Sequence, residues 1–444
     1  MEKVIFLNFD SFSKQKINFF NNVNTELSRN NLELKMITSE PVANLNFQSE
    51  KIIIKNKQIN KDDKLIYSML KLDEKAISEF IDIFKIYYPN DSQKLIKCKI
   101  NYLIYYILKF FIINQPVLGI VWTEYYPISR IFIIICKFFK INYFISERGI
   151  LRETIVLEKK GIYGKSPLVK KKISQSPNTI EYKNFLKVYK KLQVSWSQGK
   201  KTVIKTKKNE KKIKKIFFIG TNEIWHGFYP YLNSKTSPIY KSHLDVLYDL
   251  SKIEKKFTEL EIYYKPHPKD RIFLKYKKLI PENIKIVENV NVYEKIKKSD
   301  LIITICSSLA CDALIEKKPV LILGKFELSN KNICYELKNK NSFNKIIKLL
   351  INNKLKNNTK LWENFANYIL KYYLYNISNH KFGEMNYRNF AAKVFNLAKK
   401  KKKIHLANRK NFNSINLWIN KYIPERSFKS ELKILLKKFF KKSS

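Results

Sequence analysis

The sequence predicts an α/β protein of two Rossmann-like domains facing a cleft, followed by a basic helical tail. Short, continuously apolar runs alternate with helical patterns in two successive series, and the lysine-dense stretch Lys200–Lys215 lies between them. Runs buried on both faces pair in parallel, with helices covering the sheet. A length of 444 residues suits two domains of ordinary size better than one. The expected division is 1–205 for the first Rossmann-like domain, 212–398 for the second, and 399–444 for the tail.

In the first series, Val4–Asn8 reads as a strand, Ile17–Leu27 as a helix and Leu34–Thr38 as the next strand. Val117–Thr123 is an apolar run ending at Glu124, Pro127 opens a helix through Phe139, and Tyr143–Ser146 is a further strand. The second series begins with strand Ile216–Ile219 and a long loop past Trp225 and Tyr231. Helix His243–Ile253, strands Glu261–Tyr264 and Ile284–Val287, helix Val292–Lys298, strand Leu301–Ile305, helix Leu309–Glu316 and strand Val320–Leu323 follow. Such regular alternation predicts a doubly wound sheet, which binds ligands at the carboxyl ends of its strands. Helices between Leu361 and Leu397 are expected to close this second half.

Composition narrows the partners. The hydrophobic fraction of 45% and aromatic fraction of 14% supply packed cores, which excludes wholesale disorder. The formal charge of +48 is nearly all lysine, and abundant asparagine and isoleucine match the drift of an AT-rich genome. Such a surface still attracts anionic lipid or phosphorylated sugars. Arginine is scarce, so no specific nucleic acid is expected. Cys98, Cys136, Cys306, Cys311 and Cys334 form no CxxC pair and read as reduced thiols of a cytoplasmic protein. Met1–Phe9 reads as a first strand and not as a signal peptide. The apolar runs Tyr102–Ile113 and Ile131–Ile145 are interrupted by Lys109, Lys137 and Lys140, too short for a membrane span. The tail carries Leu417, Trp418, Ile423 and Phe439 among lysines. It reads either as a solvated helix or as a basic amphipathic segment on the anionic inner face of the cytoplasmic membrane.

Two stretches carry the candidate chemistry. In Glu261–Arg271, EIYYKPHPKDR, His267 stands on a loop just past a strand, held between Pro266 and Pro268 with Lys265, Lys269 and Arg271 around it. A histidine there can donate to a phosphate oxygen and stabilise charge on a departing nucleotide; an ordinary solvated loop histidine fits equally. In Leu301–Gly324, a buried strand runs through Ser307 and Ser308 into a helix. Paired serines there are first of all N-caps, and the same geometry offers amides and hydroxyls to an anion. Glu147 and Arg152 follow strand Tyr143–Ser146 and suit a charged sugar or a surface ion pair; Glu124 is a second strand-end carboxylate.

The KPHP loop, followed by the strand, Ser307-Ser308, helix and Lys318-Pro319-Val320 unit, resembles the capsule-polysaccharide biosynthesis family of GT-B glycosyltransferases, which includes enzymes that add Kdo to capsule linkers. More loosely it is similar to the HP and serine motifs of bacterial sialyltransferases and of teichoic-acid glycerophosphotransferases. Glu147-Arg148-Gly149-Ile150-Leu151-Arg152, with Thr154, Glu158, Gly161 and Ser166, is similar to the family's first-domain stretch. The resemblance implies a GT-B-like fold over most of residues 1–375. It also implies that Ser307 and Ser308 bind the donor phosphate with Lys265 adding charge, that His267 assists its departure, and that Glu147 and Arg152 line the cleft.

One loop departs from the family. Kdo-adding members carry an acidic residue soon after the first strand of the second domain, whereas Gly220–Gly227 holds Glu223 as its only acid. This departure leaves the donor sugar and the anomeric outcome, retaining or inverting, open. His226, His243, His267, His380 and His405 are scattered, with no HxxxH or DxD pattern, which predicts a metal-independent enzyme without a cofactor. The expected reaction moves a sugar from a nucleotide-sugar donor to a glycan or lipid-linked acceptor in surface-polysaccharide assembly. Glu147, Glu124 or Glu223 would serve as base or nucleophile. Transfer of a polyol phosphate from a CDP-linked donor, and non-catalytic polyanion binding on the same fold, are the alternatives.

Overall fold

The computed structural model describes residues 1–8, 12–38, 44–47, 49–51, 67–68, 70–173, 178–196 and 213–399. The expected tail (beyond Lys399) and most of the expected linker Lys200–Lys215 lie outside the described residues. Two sheets organise the rest. The first contains β1 (Glu2–Asn8), β2 (Leu32–Thr38), β3 (Ser49–Lys51), β4 (Leu118–Trp122), β5 (Asn142–Arg148) and β6 (Thr154–Glu158), in the order β6-β5-β4-β1-β2-β3. The second contains β7 (Lys214–Ile219), β8 (Leu260–Lys265), β9 (Lys285–Ile286), β10 (Leu301–Thr304), β11 (Val320–Ile322) and β12 (Tyr335–Glu336), in the order β12-β11-β10-β7-β8-β9. Strand order reverses between β1 and β4 in one sheet and between β7 and β10 in the other. These reversals are the points where open α/β sheets leave a crevice at their carboxyl ends.

The strands form where the sequence is apolar without interruption. Val4, Ile5, Phe6 and Leu7 of β1 are all fully buried, as a strand covered on both faces must be. Helix Lys14–Arg29 begins where the Ser13 hydroxyl accepts the amide of Lys16 at 3.3 Å, and Pro127 occupies the first turn of helix Pro127–Phe138. The apolar run Tyr102–Ile113 lies within helix Gln93–Asn114, which is core. No helix among the described residues is long and apolar enough to cross a membrane.

Two features depart from the sequence reading. Strand β5 runs on to Arg148 and pairs antiparallel with β6, so Glu147, expected just past the strand, lies in it, and Glu147–Arg152 belongs to a hairpin and its turn. The second departure concerns the end of the described chain, expected to close the second half as far as residue 398. Strand β13 (Tyr375–Asn376) instead pairs antiparallel with β6, and helix Tyr387–Lys399 packs against helix Lys14–Arg29. The cause is an apolar stripe, Phe390, Ala391, Val394 and Ala398, that finds its complement on the first sheet. Phe390 meets Phe19 edge-on at 5.5 Å and Tyr375 at 5.2 Å.

The two halves share one hydrophobic cluster, from Ile5 and Val121 through to Ile216 and Ile303. At Gly164 the main chains of the two halves come close together. The Gly164 amide donates to Thr236 Oγ1 at 3.2 Å, and a Cβ built on Gly164 would stand 2.1 Å from the Lys235 carbonyl oxygen. No side chain fits there. Nearby, the Tyr125 hydroxyl accepts from Asn233 Nδ2 at 2.8 Å, and a Cβ on Gly227 would strike the Tyr125 ring at 2.4 Å. Gly164→Ala is expected to lower unfolding stability by about 1–3 kcal/mol, the usual cost of overpacking a closed contact. Urea denaturation measures it; an unchanged midpoint would show that the halves do not need this approach.

Candidate functional site

A cavity of about 340 Å³ lies between the two halves. Its walls include Trp122, Thr123, Tyr126, Glu147, Arg148 and Tyr163 from the first half, and Trp225, His226, His267, Lys269, Cys306, Ser308 and Glu327 from the second. Of the residues singled out from the sequence, His267, Ser308 and Glu147 line it, while Lys265, Ser307, Arg152, Glu124 and Glu223 do not.

His267 stands just past the end of β8, as expected. Its Nδ1 accepts the backbone amide of Lys269 at 3.1 Å, so the neutral ring carries its proton on Nε2. Burial pushes the imidazole down to about 4, helped by neighbouring His243 and by the positive charges of Lys269, Arg148 and Lys265. The ring meets Trp225 edge-on at 5.8 Å. The side chain of Asn222 fastens the loop by donating to the Lys269 carbonyl at 2.7 Å. At neutral pH His267 is therefore an uncharged donor, held in place by its own loop.

His226, at which no role was aimed from the sequence, is the complement. Its Nδ1 lies 2.8 Å from the Asn222 carbonyl, which can only accept, so Nδ1 carries the proton and Nε2 the lone pair. Burial pushes it down to about 3. The ring packs on Tyr163 at 4.4 Å, and Tyr163 is itself in the left-handed region at φ +53°. One cavity thus holds two neutral histidines of opposite tautomer.

The paired serines divide. Ser308 occupies the N-cap position of helix Leu309–Ile315 with helical φ and ψ, and its side chain makes no cap hydrogen bond. The Ser307 hydroxyl instead accepts the amide of Leu309 at 3.3 Å, while the Ser307 amide donates to Thr304 Oγ1 at 3.1 Å. Ser307 is thus committed to the turn, and Ser308 is exposed to the cavity. The helix is seven residues long, which leaves little dipole to offer an anion.

The remaining candidates are engaged elsewhere. Lys265 Nζ donates to the Glu288 carbonyl at 2.7 Å, and burial lowers its pKa. Glu124 pairs with Lys165 at 2.5 Å and accepts the amide of Ile162 at 3.3 Å, tying down the Gly161–Ser166 loop. Arg152 reaches Asp312 at 3.5 Å and packs over the Tyr293 ring at 5.1 Å, with Asp312 also accepting from the Tyr189 hydroxyl at 2.7 Å. It bridges the halves beside the cavity. Glu223 is buried and accepts the backbone amide of His243 at 2.8 Å.

Glu223, His243 and Asp270 form the one group with metal-ligand spacing among the described residues, brought together from three separate segments. Nε2 of His243 accepts the Thr221 amide at 3.2 Å, so Nδ1 bears the proton and faces Glu223 at 3.0 Å. A metal on Nδ1 would have to displace that proton from a fully buried ring. The three side chains form a buried His–carboxylate cluster under the KPHP loop, in which His243 Nδ1 and Asp270 Oδ2 make no hydrogen bond among the described residues.

Two further cavity residues escaped the sequence reading. Arg148 lies inside a quoted stretch and projects its charge onto His267. Glu327 has no motif around it; the rule that ligands gather past strand ends, applied to β11, is the signal that would have found it.

Against this geometry stand the comparisons. Residues 176–345 match the family model described as capsule polysaccharide biosynthesis protein, the family that the motifs resemble. Among curated proteins none matches the chain. Among solved structures, the β-Kdo 2,4 transferase of KpsC from Thermosulfurimonas dismutans is similar at 16% identity, with a TM-score of 0.40 over 57% of this chain and 79% of that one. The β-Kdo 2,7 transferase of the same protein is similar at 17% identity and TM-score 0.38, over 71% and 95%. UDP-GlcNAc 2-epimerase from Neisseria meningitidis, bound to UDP-GlcNAc, is similar at 12% identity and TM-score 0.38, over 89% and 99%.

The buried cluster makes stability depend on pH. Burial, with Glu223 adding to it, raises the Asp270 carboxyl from 3.8 to about 7, against the opposing pull of His243. A raised carboxyl favours the folded state while protonated, so this contribution is full below its ordinary pKa and is lost as pH climbs through about 7. Asp270→Asn is expected to flatten the fall of the urea midpoint across that window. An unchanged slope would show that Asp270 is not the group responsible.

Proposed function

We propose that this chain, which matches the capsule polysaccharide biosynthesis family model over residues 176–345, is a glycosyltransferase that moves a sugar from a nucleotide-activated donor to a glycan or lipid-linked acceptor. The observation that carries the reading is the cavity itself: a neutral His267 with its Nε2 proton available, beside Arg148, Lys269 and Ser308. A donor phosphate would accept hydrogen bonds from Nε2–H and the Ser308 hydroxyl while the two cations supply counter-charge. Trp225 and Tyr126 offer aromatic faces for a base or sugar. A volume of about 340 Å³ suits part of a nucleotide sugar, with the acceptor entering from the open side.

As the sugar leaves, negative charge grows on the bridging phosphate oxygen. A donor fixed before reaction stabilises that charge without reorganising. His267 is preorganised in this sense by the Lys269 amide, which dictates its tautomer. Its depressed pKa has a further consequence: an approaching anion favours the imidazolium, so donor binding takes up protons between about pH 4 and the ordinary histidine value of 6.5. Ser307 and Lys265 support the loop and turn, and Ser308 makes the phosphate contact.

His267→Ala is expected to lower kcat/KM by about 10²-fold or more, and Ser308→Ala by about tenfold, with Ser307→Ala smaller. Full activity in both His267→Ala and Ser308→Ala would remove this site. Purified protein should be offered CMP-, CDP-, UDP- and GDP-linked sugars together with CDP-linked polyols. Turnover of a polyol donor alone would move the reading to phosphotransfer, and salt-sensitive polyanion binding without turnover would move it to a non-catalytic role. Because protein groups supply the counter-charge, transfer is expected to persist in EDTA. Loss of activity that magnesium or manganese restores would show a metal requirement.

A further inference from the structure

Glu327 follows β11 and lines the same cavity as His267, His226 and Ser308, yet it belongs to none of the motifs. It is 5% exposed, and its Oε2 is buried with no hydrogen-bond partner among the described residues. An unpaired buried carboxyl oxygen costs free energy, and a catalytic role is one reason a native structure keeps one. Asp270 Oδ2 is also unpartnered among the described residues but does not line the cavity, whereas Glu327 does. Of the other carboxylates considered, Glu124 is neutralised by Lys165, Glu223 lies in the His243 cluster, and Glu147 Oε1 accepts the amide of Arg148 at 2.9 Å.

Resting on the transferase reading, we propose that Glu327 is the catalytic base that accepts the proton of the acceptor hydroxyl in a one-step displacement. The O–H bond breaks towards the Glu327 carboxylate, and the hydroxyl oxygen bonds to the anomeric carbon. The bond from that carbon to the donor phosphate breaks, and its electron pair stays on the phosphate oxygen facing the His267 Nε2–H. Glu327 then releases the proton to solvent as the products leave. Nothing is oxidised or reduced. Nε2 of His226, a lone-pair acceptor in the same wall, orients the substrate by accepting a second hydroxyl.

The surroundings suit a base that works near neutrality. The groups acting on Glu327 are the Glu147 and Glu158 carboxylates, the Tyr163 and Tyr373 phenols and the Cys306 and Cys311 thiols. Burial, above all, raises its carboxyl to about 7, with the Glu158 and Glu147 charges adding and the backbone amides of Glu327 and Tyr163 opposing. Transfer therefore gains its base form as pH rises through about 7.

The experiment compares wild type with Glu327→Gln and Glu327→Asp, after the donor panel has identified the working nucleotide sugar. Glu327→Gln is expected to bind the nucleotide within about threefold of wild type, while kcat falls about 10²- to 10⁴-fold. The rising limb near neutral pH should vanish from its residual activity, Glu327→Asp should restore part of the rate, and the product anomer should be inverted. Ligand-free wild type should show infrared carboxyl bands from both Glu327 and Asp270 that titrate near neutrality, of which Glu327→Gln loses one and Asp270→Asn the other. Transfer within about threefold of wild type in Glu327→Gln, joint loss of nucleotide binding and transfer in both variants, or a retained anomer would each overturn the assignment. A wild type that neither binds nor turns over any donor removes the transferase reading and this base with it. A wild type that turns over while Glu327→Gln also does removes the base alone.

Discussion

The close approach of Gly164 to the Lys235 carbonyl fixes the distance between the halves, and the cavity exists because of that distance. The contact is made by main chain, so it tolerates no side chain and cannot relax by rotamer change. The loop that makes it is held from three sides: Glu124 pairs with Lys165 and accepts the Ile162 amide, Ser166 Oγ lies 3.1 Å from the Tyr373 hydroxyl, and the Tyr163 ring covers His226. Gly161, Glu124 and Ser166 therefore act on the cavity through this loop, without forming its chemical wall. A residue such as Glu124, read as a catalytic candidate from its place at a strand end, is better understood as the anchor of a latch.

Closure has an electrostatic consequence. Histidines and carboxyls removed from water lose the solvation that favours their charged forms, so His226 and His267 move down while Glu327 and Asp270 move up. The shifts run in opposite directions in base and acid, yet one cause stands first in all of them. The result is a pair of neutral histidines in the cavity wall whose hydrogen-bonding directions are fixed by backbone partners: the Lys269 amide for His267 and the Asn222 carbonyl for His226. A charged ligand entering such a wall changes the protonation of its surroundings, which is how a preorganised site distinguishes a phosphate from a neutral sugar.

The fold was legible because its determinants are local. Continuous apolar runs such as Val4–Asn8 and Leu301–Ile305, with Pro127 at a helix start, carry their structure in a few adjacent residues. His267 was legible for the same reason, since its loop follows a strand that ends at Lys265. What was not legible depends on partners far along the chain. Phe390 and Val394 announce an amphipathic helix but not which sheet receives it. Arg152 announces a charge, but its partner Asp312 lies 160 positions away. Glu327 becomes distinctive only once burial leaves its Oε2 unpartnered, and Ser307 and Ser308 are told apart only by which hydroxyl the Leu309 amide finds.

The return of the chain to the first sheet bears on how the cleft is held. Helix Ile180–Trp196 lies before the passage to the second half, and helix Thr359–Tyr372 before the passage back, so two segments connect the halves instead of one. They pack on each other. Trp362 Nε1 donates to the Tyr182 hydroxyl at 2.8 Å, and Asn367 accepts the Tyr182 amide at 3.2 Å while donating to the Asn178 carbonyl at 3.0 Å. These contacts join the helix before one passage to the helix before the other, so side chains as well as the chain itself tie the halves together. Arg152–Asp312 and Gly164–Thr236 add polar contacts between the same halves beside the cavity, so its walls are set by long-range partners while His267 is set by its own loop.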